Sequence, residues 1–244
     1  MAKKTIFDYT WEVYQKNFSW ILLAAVPGLV GLLIPIFIGM PAYEALGAVY
    51  LRTGSIPDLN QLSAGFMLLA LLISLFLMSF ATVGVNLVVK RQRTLNNISL
   101  EELRSMTAMS MSVLFIFVMA EILLFIIQLI TFEYRMQALL APILNLIIGL
   151  AILFLPTAMV IDDVRPYRAL ERSVETVRKK WKLVLQWMVV SFVLLSIVDG
   201  LLLWLVPHPF ASWLVVMFNS LVIMPYLIVM LAQIYISKYT ILVD

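Results

Sequence analysis

LAILFLPTAMVIDDVRPYRALERSVETVRKKWKLVLQWMVVSFVLL, residues 150–195, decides the fold: two apolar runs enclose a charged one. Seven of the chain's 17 Lys and Arg fall between Arg165 and Lys182. Within that stretch Tyr167, Leu170, Val174, Val177 and Trp181 recur at spacings of 3, 4, 3 and 4, which is one face of an α-helix. Arg168, Glu171, Arg172, Glu175, Arg178 and Lys179 take the opposite side. Asp162 and Asp163 close the preceding run, and Asp163 is placed to cap the helix that Pro166 starts. The pattern predicts an amphipathic helix lying on the membrane surface between two spans. Its apolar face enters the interface, and Arg168, Arg172, Arg178, Lys179 and Lys180 meet anionic lipid headgroups.

The rest of the chain has the composition of a membrane protein. Of its 244 residues 63% are hydrophobic and 13% charged, with a mean hydropathy of +1.02, whereas soluble domains are about one quarter charged. A helix needs roughly 20 apolar residues to cross a hydrocarbon core. Six segments satisfy this, 18–40, 64–89, 111–130, 138–161, 183–206 and 211–236. They are continuous runs, not the short alternating segments of a barrel, so the expected fold is an all-α integral membrane bundle. The first run begins at Phe18 and is too long for a signal-peptide core, so it reads as a retained span.

Lys and Arg in the connections orient the bundle. Fifteen fall on the side of the termini and the two basic loops, against Arg52 and Arg135 on the other. The positive-inside rule therefore places both termini in the cytoplasm of a cell-membrane protein. Pro27, Pro35, Pro142, Pro156 and Pro225 lie inside spans, where each frees a carbonyl that a neighbouring helix must satisfy. Small residues recur at helical spacing, Ala24, Gly28, Gly31, Pro35 and Gly39 in the first span and Ala141, Asn145 and Gly149 in the fourth. Such stripes let helices approach closely, within the bundle or across a dimer.

The surface-helix pattern occurs twice. Phe7, Trp11, Tyr14 and Phe18, shifted by 163, fall on Leu170, Val174, Val177 and Trp181, while Glu12 meets Glu175, Lys16 meets Lys179 and Thr10 meets Ser173. SLEELRSMTAMS, residues 99–110, has only a short amphipathic start at Leu100 and Leu103. The chain thus reads as one polytopic domain of three units, 1–89, 99–161 and 166–236, each a surface helix followed by two spans.

LPTAMVIDDVRPYRALERSVETVRKKW, residues 155–181, resembles a pattern in an uncharacterised prokaryotic membrane family, the six-span domain that precedes the catalytic domain in some bacterial glycerophosphodiester phosphodiesterases. Pro156, Asp162, Ala169, Leu170, Ser173 and Trp181 carry the resemblance. It implies a membrane fold and no particular chemistry, since six spans use up the chain and leave no catalytic domain.

Catalytic constellations are absent. There is no Cys, and a lone His208 cannot build a multi-His metal site. No glycine-rich phosphate loop occurs, and no Ser–His pair shares a span. The basic residues belong to membrane-bound helices, so nucleic acid is not an expected partner. No enzyme activity, cofactor or metal is expected. The expected partners are the bilayer, its anionic headgroups, and a membrane or cytoplasmic protein. The chemistry that remains is intramembrane. Counting about 1.5 Å per residue from the predicted outer ends puts Glu121, Asn145, Asp199 and Asn219 roughly 10–13 Å deep. At a common depth they would make a polar, proton or cation site, or else act as hydrogen bonds between helices. Gln128 shares a face with Glu121, and Thr82 and Asn86 lie one turn apart in the second span. Asp162 with Asp163 suits capping and charge balance, or a divalent cation. The function expected is non-enzymatic, an interaction with the cytoplasmic leaflet or a membrane subunit for a partner. The alternative is a small cation- or proton-coupled transporter.

Overall fold

The computed structural model describes residues 5–37, 61–94, 100–134, 137–207 and 210–237. Lys3, Lys4, Gly39, Pro41, Arg52, Arg135, His208 and Lys238 lie outside them. The described residues form helices α1 (Ile6–Lys16), α2 (Phe18–Phe37), α3 (Gln61–Thr94), α4 (Leu100–Glu133), α5 (Gln137–Ile152), α6 (Leu155–Asp162), α7 (Pro166–Lys179), α8 (Trp181–Leu205), α9 (Phe210–Phe218) and α10 (Met224–Ile236). A π-helical segment, Asn219–Ile223, joins α9 to α10. No strand occurs among the described residues. The chain is an all-α bundle with six helical stretches long and apolar enough to cross a membrane.

The six are not equivalent. In the second, fourth and sixth spans 39% of the apolar stretch is buried, against 22%, 6% and 0% in the first, third and fifth. The even spans form the centre: α3, α6 and α10 pack against one another, with α2, α4 and α8 outside. Val83 and Leu87 of α3, Phe154 to Val160 around α6, and Met230, Ile234 and Tyr235 of α10 share one core. Each helix that leads into an outer span rests on an inner one. Thus α7 packs on α5 and α6, α1 packs on α10, and α4 packs on α3 near Met106. Lipid is as apolar as these side chains, so close packing and internal hydrogen bonds hold the helices together.

The proline breaks show those bonds. Pro35 has no N–H for the carbonyl of Gly31, and the Ser74 hydroxyl of α3 donates to it instead at 2.6 Å. Pro156 breaks the fourth span into α5 and α6, and the Phe154 N–H stranded at the break donates to Ser173 Oγ of α7 at 3.0 Å. Beside Pro225, the Val222 carbonyl in the π segment accepts the Tyr14 hydroxyl of α1 at 3.0 Å. Only at Gly31 is the carbonyl one that a proline itself leaves open; at the other two a different helix bonds backbone close to a proline.

The two surface-helix stretches of the sequence end alike. Asn17, between α1 and α2, has φ −114° and ψ 18°, and Lys180, between α7 and α8, has φ −118° and ψ 29°. These positions are 163 residues apart, and Thr10 and Ser173, equally spaced, are both fully buried. The middle stretch differs. α4 runs unbroken from Leu100 to Glu133, so no separate surface helix precedes the third span.

Candidate functional site

The turn between α6 and α7 follows from its residues. Asp163 ends α6 in the left-handed region at φ 51°, a conformation that Asp tolerates better than most side chains. Arg165 is extended because Pro follows it, and Pro166 sits at the first helical position, where no N–H is needed. The expected cap by Asp163 is not made. Arg165 holds the N-cap position without a side-chain bond, because the left-handed turn puts Asp163 at the end of α6 instead.

α7 has three faces where the sequence suggested two. Ala169, Ser173 and Thr176 are buried against the bundle, with Leu170 and Val177 packed at the edge of the core. Tyr167 and Val174 are 80% and 47% exposed on a third face, and Trp181, 57% exposed, falls beyond the turn at Lys180 as the first residue of α8 instead of on α7. The charged residues complete the helix. The expected apolar face is therefore divided, Leu170 and Val177 going to protein and the other three left uncovered. Small residues do the docking because they let the helix backbone approach α5 and α6.

The basic residues divide as well. Arg172 donates to the Asp162 carboxylate, which also accepts the Tyr235 hydroxyl of α10 at 2.6 Å. Desolvation alone would lower Arg172, but the hydrogen bond and charge of Asp162, with Tyr235 beside them, raise it above its ordinary value. Lys180 Nζ donates to the Ile234 carbonyl at 2.6 Å and to Ser237 Oγ at 2.8 Å. It thereby caps the C-terminal end of α10, where a cation is favoured. Lys179 pairs with Glu175 one turn away. So Arg172 and Lys180, expected on headgroups, are turned into the protein instead, since open carbonyls and a carboxylate lie within their reach. Arg168 and Arg178 are exposed, and Lys182 lies 5.9 Å from the Trp181 ring centroid. Sequence reasoning missed Tyr235 and Ser237. Tyr235 ends an apolar span and reads there as one more interfacial aromatic.

Only one pair of the intramembrane polar residues meets. Asn219, at the start of the π segment, donates from Nδ2 to Asp199 Oδ1 of α8 at 2.8 Å. Asn219 Oδ1 is buried with no donor among the described residues, and so is Asn145 Oδ1. Glu121 is exposed on α4. α4 and α5 pack on each other and have at most marginal contact with α8 or the π segment. Glu121 and Asn145 make no hydrogen bond to that pair. Equal depth fixes one coordinate of a side chain, and the direction it faces around the bundle is a second, independent one. Asn86 Nδ2 is bonded within its own helix to the Thr82 carbonyl, at 2.8 Å. Among the described residues no three His, Cys, Asp or Glu side chains cluster as metal ligands. The space between α2, α3 and the π segment, lined by Gly28, Thr82, Ser220 and Pro225, is about 50 Å³, room for a water or two.

Comparison of the chain with protein-family models, curated proteins and solved structures finds no match.

Proposed function

We propose that this multi-pass membrane protein is non-enzymatic and engages the cytoplasmic leaflet of the cell membrane through α7, as a membrane subunit with both termini in the cytoplasm. The observation that carries this reading is that Tyr167 and Val174 are uncovered on α7, with Trp181 exposed just after it at the start of α8 and Arg168 and Arg178 exposed on α7, while another face of α7 is docked on the bundle. Apolar side chains next to cations suit the boundary between acyl chains and anionic headgroups. Asp162, Arg172, Tyr235 and Lys180 then tie what α7 meets to the inner spans. The distribution of Lys and Arg supports the orientation. The 163-residue recurrence and the inner–outer alternation of spans support a chain of three units, 1–89, 99–161 and 166–236. The relation to phosphodiesterase membrane domains belongs to the same proposal.

The chain has no cysteine, which makes the test direct. An environment-sensitive fluorophore is placed on Val174→Cys in the whole protein, reconstituted in anionic or in zwitterionic bilayers. Its emission should shift blue and be quenched by lipid-borne quenchers, more strongly in the anionic bilayer and less as salt rises. The same probe at Arg168→Cys should report water. A probe at 174 that stays in water in both bilayers would sink the leaflet reading.

The pair of Asp199 and Asn219 favours a second reading. π segments recur at functional sites, and an acid in a span is costly unless used. On this reading the pair binds a proton or a small cation. Sodium- or proton-driven flux in proteoliposomes, abolished by Asp199→Asn, would support it, and unchanged flux would refute it.

A further inference from the structure

Glu121 is placed where a carboxyl group is hardest to accommodate. It lies 12 residues before the end of α4 at Glu133 and 17 after Arg104, about 18 Å and 25 Å along the axis. In a hydrocarbon core of about 30 Å it is deep from either side. The bundle-facing side of α4 is marked by Val113, Ala120 and Thr131, all buried, and Glu121 is not on it. Its side chain is exposed and makes no hydrogen bond or ion pair with any described residue. Nor is it alone. Leu114, Val118, Glu121, Phe125 and Gln128 recur at spacings of 4, 3, 4 and 3, the seam of a left-handed helix pair. Glu121 and Gln128 hold the same place in successive heptads, and the Gln128 side chain also makes no hydrogen bond among the described residues. Acids in spans almost always face protein or water, often paired with one another.

We infer that the seam of Leu114, Val118, Glu121, Phe125 and Gln128 on α4 is covered by the same seam of a second copy of this chain. A two-fold axis along the membrane normal sets every residue opposite its own counterpart at the same depth. Carboxyl and carboxamide groups each offer a donor and an acceptor, so Glu121 meets Glu121 and Gln128 meets Gln128 without a foreign group. A different protein would have to supply a matched partner for each of the two positions, whereas a two-fold pairing supplies both from the one sequence. The adjoining hairpin helix has room for such an approach. Gly149 of α5 is 12 residues from the start of its helix at Gln137, level with Glu121, and has nothing within 4 Å of where a Cβ would stand. The pairing stands apart from the leaflet reading, since it is made in the core of the bilayer and not by α7.

The test uses the whole protein in vesicles, with one cysteine at Phe125, on the seam, or at Met119, exposed elsewhere on α4. A short bifunctional thiol reagent should link two chains at 125 and not at 119. The yield at 125 should hold as the protein is diluted tenfold in lipid. Glu121→Leu should cut it about tenfold, and Glu121→Gln, which keeps the hydrogen bonds, should preserve it. Single-molecule photobleaching of the otherwise unaltered protein should show two steps, a readout that needs no variant to fold. Equal linking at both positions, or single-step bleaching at every dilution, would overturn the inference. In the latter case lipid or another protein covers the seam.

Discussion

The first hairpin, α2 with α3, and the second, α4 with α5, are built from similar apolar sequence and are opposites in packing. In the first, a Cβ on Gly31 would lie 2.9 Å from the Ser74 carbonyl oxygen, and one on Gly28 3.0 Å from the Ala81 Cβ. The backbones touch, and Ser74 mends the carbonyl that Pro35 leaves open. In the second, Gly149 has nothing near it, Glu121 is bare, and the break at Pro156 is mended by α7 from outside the hairpin. Small residues in a span thus have no fixed meaning. They mark close packing only where a second helix uses the room they leave.

The largest expected effect comes from filling the closed hairpin. Gly31→Leu puts a branched side chain against the backbone of α3, which cannot rotate away as a side chain could. Overpacking of this kind costs about 1–3 kcal/mol, and the upper end is expected here. Thermal unfolding in detergent should fall sharply, and Gly149→Leu under the same conditions should barely change it. Equal losses at the two glycines would erase the distinction between the hairpins.

Next in size are the two stitches. Ser74→Ala leaves the Gly31 carbonyl without a donor inside the bundle, a loss of about 1–2 kcal/mol by the measure of single buried hydrogen bonds. Ser74→Thr should retain most of the stability. Ser173→Ala strands the Phe154 N–H in the same way, so its loss should be of similar or smaller size. Its signature is local: exchange of the Phe154 amide should quicken while amides of α2 and α3 are unaffected. Uniform quickening would mean that α7 clamps the whole bundle and not the second hairpin alone.

How much of this could be read in the sequence depends on what each feature needs. The six spans need only length and apolarity, which one run of residues supplies. The freed carbonyl at Gly31 is legible from Pro35, but its donor, Ser74, is 43 residues away and resembles any other serine in a span. The docked face of α7 escaped because apolar periodicity picks out Leu170 and Val174, whereas contact between helices picks out Ala169, Ser173 and Thr176. Arg172 and Lys180 counted as surface charge because their partners, Asp162 and the end of α10, meet them only in the fold. For Glu121, Asn145, Asp199 and Asn219, counting along a span gives only a position along the helix axis. It does not give direction around the bundle, and only Asp199 and Asn219 meet.

A smaller effect is expected where α1 locks the sixth span. Burial pushes the Tyr14 hydroxyl up to about 12, from an ordinary value near 10. The folded state thus prefers the neutral phenol, which donates to the Val222 carbonyl. Its contribution is fully present below pH 10 and is lost as pH rises through 12. Tyr14→Phe removes both the bond and the titration. The unfolding temperature of the variant should be slightly lower than that of the parent at pH 8, and the gap should close above pH 11. A gap independent of pH would assign the effect to packing of the ring against Tyr226, 5.5 Å away between centroids.

The smallest effect is expected at Gly149→Ala, and it is the most informative about the open hairpin. Gly149 is helical, exposed, and free of neighbours within 4 Å of a Cβ, so the added methyl group meets no other part of this chain. Alanine restricts the unfolded chain more than glycine does and favours the helix by about 0.5–1 kcal/mol. In isolated molecules, unfolding should therefore be unchanged or slightly delayed. The paired state is a different matter, because Gly149, exposed on the other helix of the hairpin, lies level with Glu121 along it. A methyl group there should lower the yield of the Phe125→Cys link modestly if the second chain leans over the notch, and leave it unchanged if the chains meet on α4 alone. A clear loss of stability in dilute, single-copy samples would contradict both outcomes. It would mean that the space above Gly149 is filled within one molecule, and the contrast between the closed and the open hairpin would fail at its own test position.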